Sequence, residues 1–146
     1  YLLQQRLGKN IINASTDITG FGLLGHLKEM VDSSNNLRMQ QNKNKIKVLL
    51  DLSLLRAYPQ ILELIRRGIK SSLYEENKKI YEQLLLNNLE DKSIIFVQDK
   101  NNSQKELSEK VQLILDPQTC GPLLISCNPI YEKYLAENWY KIGEVI

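Results

Sequence analysis

The sequence predicts a layered α+β fold in which a mixed sheet is packed with helices. Two observations carry this expectation. Runs with apolar residues at every second position are interleaved with stripes at helical spacing. The composition is globular: of 146 residues, 42% are hydrophobic and 25% charged. That length is one ordinary domain, long enough to hide roughly two-thirds of its unfolded surface.

The elements follow in order. Residues 11–15 are a β-prone run that ends in Ser15-Thr16-Asp17. After Thr19-Gly20-Phe21-Gly22, the residues Leu23, Leu27, Met30 and Val31 fall on one helical face, with Thr19 placed as N-cap. Strand, tight turn and helix are expected here. Residues 32–44, rich in Asn and Gln, read as a loop. Ile46, Val48 and Leu50 alternate with polar residues and suggest a strand. Pro59 suits a first helical position, Ile61, Leu62 and Ile65 form a stripe, Arg66 and Arg67 suit a C-terminal turn, and Gly68 closes it. Residues 75–86 carry Ile80, Tyr81, Leu84 and Leu85 as another stripe. Residues 94–97 suggest a short strand, and 99–104 a polar, mobile stretch. Val111, Leu113 and Leu115 alternate as in a strand. Residues 116–122 are turn-rich, 123–127 read as a buried strand, 129–138 as a helix and 139–145 as a last strand. No internal repeat and no heptad pattern is present.

Several function classes are disfavoured. The net charge of +2, from 19 Lys+Arg against 17 Asp+Glu, lacks the basic excess of a dedicated nucleic-acid binder. No apolar run approaches the roughly 20 residues of a membrane span. No nucleic-acid or membrane partner is expected. Arg6 and Lys9 amid glutamines are unlike a signal peptide. Two cysteines, Cys120 and Cys127, make no disulfide framework and fit a reducing cytoplasm. The chain opens on Tyr1 rather than methionine, which reads as a piece of something longer.

The sharpest chemical signal is Thr16-Asp17-Ile18-Thr19-Gly20-Phe21-Gly22. It sets a carboxylate at a strand end, before a glycine turn and a helix N-terminus. Free N–H groups there favour an anion, and glycine lets a phosphate approach the backbone. Asp17 beside such an anion calls for a cation between them, and Mg²⁺ accepts carboxylate and phosphate oxygens together. The pattern is neither a dinucleotide fingerprint nor a P-loop. On residue chemistry alone two outcomes stay open: a phosphate–metal site, or a capped helix with packing glycines.

Residues 14–26, from Ala14 through Gly25-His26, closely resemble the signature of selenophosphate synthetases (selenide, water dikinases). Asp116-Pro117-Gln118-Thr119-Cys120-Gly121 resembles that family's second C-terminal signature, and Ile142-Gly143-Glu144-Val145 its closing strand. Residues 68–77 resemble the intervening loop less clearly. The motifs stand in the family's order over most of the chain. The resemblance implies the two-domain fold of the aminoimidazole-ribonucleotide-synthetase superfamily, of which residues 1–146 would be a single C-terminal domain lacking its first strand. It implies synthesis of selenophosphate from selenide, ATP and water, with Mg²⁺, and release of AMP and phosphate. Asp17 would be a metal ligand, and Thr19, Gly20 and Gly22 would form the turn near the phosphates. The partners implied are the N-terminal domain of the same chain and, at full length, a second copy in a homodimer.

The resemblance also marks absences. The family's catalytic Cys or selenocysteine and its Lys belong to an N-terminal glycine-rich segment, which has no counterpart here. No catalytic residue is expected in this chain, and the chain alone is expected to be inactive. Pro122 departs from the family's second glycine, and proline removes an N–H. Sister enzymes of the superfamily, such as a thiamine-monophosphate kinase or a hydrogenase-maturation ATPase, are the rival reading, and a non-catalytic assembly domain is another. His26 reads as a packed structural histidine rather than an acid or base. Asp116 reads as a turn residue, Trp139 and Tyr140 as packing, Cys127 as a small buried hydrophobe, and Lys43, Lys45, Lys47 and Arg38 as a solvated face.

Overall fold

The computed structural model describes residues 11–86, 92–97, 104–118, 121–135 and 138–146. Strand β1 (Ile12–Asp17) leads into helix α1 (Gly22–Gln40). Strand β2 (Val48–Asp51) ends in a 3₁₀ turn at Leu52–Leu54. Helices α2 (Ile61–Arg66) and α3 (Tyr74–Leu86) then lead to β3 (Ile94–Val97). Helix α4 (Gln104–Leu115), β4 (Leu123–Cys127), a 3₁₀ segment at Pro129–Tyr134 and β5 (Gly143–Val145) complete the order.

The strands form two sheets. β1 pairs antiparallel with β4, with Asp17 opposite Leu123 and Ile12 opposite Cys127. The other sheet has the order β3-β2-β5. There β2 runs parallel to β3 and antiparallel to β5, so the sheet is mixed, as expected. A parallel neighbour demands a crossover, which α2 and α3 supply. Leu24, Leu27 and Val31 of α1 share a core with Leu50 of β2, Leu84 of α3, Ile94 of β3, and Ile114 and Leu115 of α4. Leu24 and Leu115 are wholly shielded from solvent. Truncating such a leucine to alanine costs about 2–5 kcal/mol.

Several expectations are corrected. Residues 32–40 continue α1 instead of forming a loop. Asn35 explains how: its buried amide donates to Ile46 O at 3.0 Å, and its Oδ1 accepts from Ile46 N at 2.7 Å. A polar residue thus serves a buried helix face by bonding the approach to β2. Thr19 is not the N-cap; Phe21 occupies that position, without a side-chain cap. Pro59 lies ahead of α2, whose N-cap is Gln60. Gly68 does close α2, and the following Ile69 N–H returns to Leu64 O at 3.1 Å.

Val111, Leu113 and Leu115 belong to helix α4, not to a strand. Their alternation competes with Leu107, Val111, Ile114 and Leu115 at i, i+4, i+7 and i+8, and it is this helical set that meets the core. β4 is a strand but mostly a surface one, since of its residues Leu124 alone is buried. Residues 129–134 are 3₁₀ rather than a longer helix, and the last strand is confined to Gly143–Val145. Trp139 is half-buried ahead of it, while Tyr140 is exposed beneath the Arg56 guanidinium, 4.6 Å from its ring centre. Residues 1–10, 99–103 and 119–120 lie outside the described residues, and with them the opening residues, most of the polar stretch and Cys120.

Candidate functional site

β1 delivers Asp17 to its exposed face by strand alternation, since Asn13, Ser15 and Asp17 are exposed while their neighbours are half-buried. Ile18 then turns into the core, and its N–H donates to Pro122 O at 3.0 Å. Pro122 has no N–H to offer, yet its carbonyl extends the β1–β4 pairing. The Thr19 carbonyl accepts twice, from Gly22 N at 3.1 Å and from Gln118 N at 2.9 Å. The first bond closes the turn, and the second ties it to the segment after α4. Gly121 packs so closely on Ile18 that an added Cβ would sit 1.6 Å from Ile18 O.

Asn77, from the first turn of α3, completes the junction. Its buried Nδ2 donates to Gly20 O at 3.0 Å and to Leu115 O at 2.9 Å. Three segments distant in the chain, around residues 17–22, 77 and 114–122, therefore meet at one turn. Each contains residues that the sequence marks as motif.

The two turn glycines differ. Gly22 has φ +66° and is buried against the end of α4; a Cβ there would lie 2.7 Å from Ile114 O. Its requirement is packing and backbone shape. Gly20 is open on its Cα side, with nothing nearer an added Cβ than Leu73 Cδ1 at 3.8 Å. The start of α1 has neither a side-chain cap nor an acidic residue in its first turn. Gly22 N is bonded to Thr19 O and Gly25 N to Phe21 O, so what the start of α1 offers a partner is chiefly the positive end of its dipole.

His26 is buried on α1. Its Nε2 lies 3.0 Å from Thr19 Oγ1 and its Nδ1 3.2 Å from Glu29 Oε2. The Phe21 ring covers it at 5.5 Å between centres. The packed histidine of the sequence reading is found, with both nitrogens engaged. Asp116 lies in the bend after α4, where its carbonyl accepts from Gln118 Nε2 at 3.3 Å. Arg38 bonds Asn44 O at 2.6 Å, and Lys43 and Lys45 are exposed.

Among the described residues, no hydrogen-bond donor or cation engages the Asp17 carboxylate. Nor does any group of three or more His, Cys, Asp or Glu side chains form a metal cage there. The fit is that of a partial site. Mg²⁺ retains waters and is held by one or two carboxylates plus phosphate oxygens. The exposed Asp17 carboxylate and, two residues on in the chain, the half-buried Thr19 hydroxyl are hard oxygen donors of that kind.

The contacts made by Asn77, and the link from Thr19 through His26 to Glu29, escaped the reading of the motifs that contain Asn77, Thr19 and His26. Asn77 carries one sequence signal, a polar residue in the first turn of an apolar-striped helix. The Arg66–Glu109 pair gives no such signal. The Arg66 fork bonds both Glu109 oxygens, at 2.8 and 2.9 Å, joining α2 to α4.

The family model for AIR synthase related protein, C-terminal domain, matches residues 1–146. The chain belongs to this family. The mixed sheet and packed helices agree with the layered α+β fold expected of it. Selenide, water dikinases are among its relatives, as the motifs implied. That of Haemophilus ducreyi is 29% identical over 136 residues, which are 92% of this chain and 31% of the relative. That of Caldanaerobacter subterraneus subsp. tengcongensis is 35% identical over 115 residues, covering 79% of this chain and 26% of the relative. A 34-residue match to the Methanocaldococcus jannaschii protein reaches 59% identity. The chain thus spans 31% and 26% of the length of the first two relatives.

Proposed function

We propose that this family member acts as one wall of the nucleotide site in a selenide, water dikinase. The reading is carried by the junction at residues 17–22, where an exposed carboxylate stands beside an uncapped helix N-terminus. Asp17 would hold Mg²⁺, and the turn at Thr19 and Gly20 would lie along the phosphates of ATP. Gly22 would serve that turn indirectly, by letting α1 start against the end of α4.

Bound Mg²⁺ would neutralise charge on the phosphates during phosphoryl transfer. The chain's own residues do the positioning. The Thr19 carbonyl, held by Gly22 and Gln118, sets the path of the turn. Asn77 keeps the Gly20 carbonyl pointing inward, away from an approaching anion. The acceptor chemistry on selenide, a second wall and any dimer contact would come from the rest of a longer polypeptide in the cytoplasm. This chain alone would bind nucleotide weakly and turn over none.

Calorimetry with Mg·ATP tests the division of labour, on this chain and on the longest natural version of it. Tight binding by the long version alone is the expected result. Tight binding by the 146 residues alone would place the pocket within this domain and overturn the shared-wall reading. In the long version, Asp17→Asn is expected to lower metal-dependent turnover by orders of magnitude, and unchanged turnover would remove Asp17 from the site.

A further inference from the structure

We propose that residues 56–73 form a strap that opens and closes as a unit, hinged at Leu55 and Tyr74 and latched to α4 through the Arg66–Glu109 pair. Its closed form borders the turn at Gly20, where a bound ligand would hold it shut. That last step rests on the nucleotide reading of the turn.

The strap is weakly built into the fold. Leu55 and Tyr74 belong to the core, yet every residue between them is half-buried or exposed. Apolar burial, the main source of cohesion, therefore stops at the two hinges. The strap's own backbone bonds are local, from Leu64 N to Gln60 O, from Arg67 N to Glu63 O and from Ile69 N to Leu64 O. A cleft of about 310 Å³ is lined by Leu62 and Arg66 of the strap and by Lys105, Glu106, Glu109 and Lys110 of α4. Polar side chains bridge the two sides: Arg66 bonds both Glu109 oxygens, and Gln112 Nε2 donates to Ile69 O at 3.0 Å. Arg56 over Tyr140 and Lys70 beside Glu75 add contacts near the hinges.

Two features favour opening. Gln60 holds φ +69°, a strained conformation for a residue other than glycine. Ser71 Oγ is buried without a hydrogen-bond partner among the described residues, and release of the strap would give it water. The charge-assisted, two-pronged Arg66–Glu109 bond opposes both. In the closed form Leu73 Cδ1 lies 3.8 Å from where a Cβ on Gly20 would stand. A ligand seated along that turn would meet Leu73 in this form and so favour it over the open one.

Hydrogen exchange in the longest natural version of the chain tests the strap, read at the amides of Leu64, Arg67 and Ile69. They are expected to share one opening constant, larger than that of the core amides of Leu27 and Val31 and less dependent on urea. Glu109→Gln should raise it roughly 10-fold at all three, as loss of a bond between charged groups does. Gln112→Ala should also raise all three together, although its side chain reaches Ile69 alone. Ser71→Ala should lower it. Three unrelated constants would mean fraying, and constants equal to those of the core would mean global unfolding; either overturns the proposal. So does an effect of Gln112→Ala confined to Ile69.

Mg·ATP then tests closure. It is expected to slow exchange at the strap amides together with Gly22 and Gly25 of the turn. Slowing at Gly22 and Gly25 without the strap overturns closure and leaves the nucleotide reading intact. Slowing at neither removes nucleotide from the turn and closure with it, while the hinged strap stands or falls on the first measurement.

Discussion

The Asn77 side chain donates to the Gly20 carbonyl at 3.0 Å, across 57 residues of sequence. The same nitrogen reaches Leu115 O at 2.9 Å. Asn77 is 2% exposed, and its bond to Leu115 O is shielded from water. One amide thus joins the site turn to α3 and to the end of α4.

Asn77→Ala is expected to destabilise the chain by about 2–4 kcal/mol, because the buried Leu115 carbonyl and the half-buried Gly20 carbonyl lose their donor. Asn77→Asp should be at least as damaging, since a carboxylate cannot donate to either. Urea unfolding followed by circular dichroism measures both. Wild-type stability in Asn77→Ala would show that the junction does not depend on this residue.

The two turn glycines give a contrast. Gly22→Ala forces a Cβ to 2.7 Å from Ile114 O at φ +66°, and a loss of about 2–4 kcal/mol is expected. Gly20→Ala meets nothing closer than 3.8 Å and should change stability by less than about 1 kcal/mol. If nucleotide phosphates approach Gly20, that same variant should lower Mg·ATP affinity in the long chain. An unchanged affinity would move the phosphates elsewhere along the turn.

The Arg66–Glu109 pair should make stability depend on pH. The Arg66 hydrogen bond, reinforced by its charge, holds the Glu109 carboxyl below the ordinary carboxylate range, against an opposing effect of burial. A depressed folded pKa means that the unfolded chain takes up this proton first. The stabilisation is therefore full above the unfolded pKa and is lost as pH falls through the folded one. Melting temperatures of wild type and Glu109→Gln should differ most near pH 7 and converge in acid. A difference that stays constant into acid would deny the pair any pH-linked role.

Cys127 should react slowly with thiol reagents. Burial raises its thiol pKa, and Glu132 nearby raises it further, so little thiolate is present at neutral pH. Alkylation of a Cys120→Ser variant, timed against a free cysteine peptide, measures this. A rate equal to that of the peptide would contradict the packing of β4.

Much of the site was legible in the sequence because its information is local. Strand alternation sets Asp17 outward, the Thr19–Gly22 turn joins β1 to α1, and α3 is announced by Ile80, Tyr81 and Leu84. Each depends on residues within a few positions of one another, where backbone geometry alone imposes a period. The motifs at residues 14–26 and 116–121 also led to the family without knowledge of any contact.

Tertiary structure decided what depends on partners far along the chain. Residues 32–40 look like a loop until Asn35 meets Ile46, which satisfies a polar group that local sequence leaves unpaired. Leu113 and Leu115 fit a strand period until the core selects the 3.6-residue set of α4. The packing demand at Gly22 shows only once the end of α4 is set against it. The Thr19 hydroxyl has a side-chain partner only once His26 is brought to 3.0 Å from it. In each case a buried polar group or a close approach had to be satisfied by residues that sequence spacing cannot bring together, and folding alone supplied them.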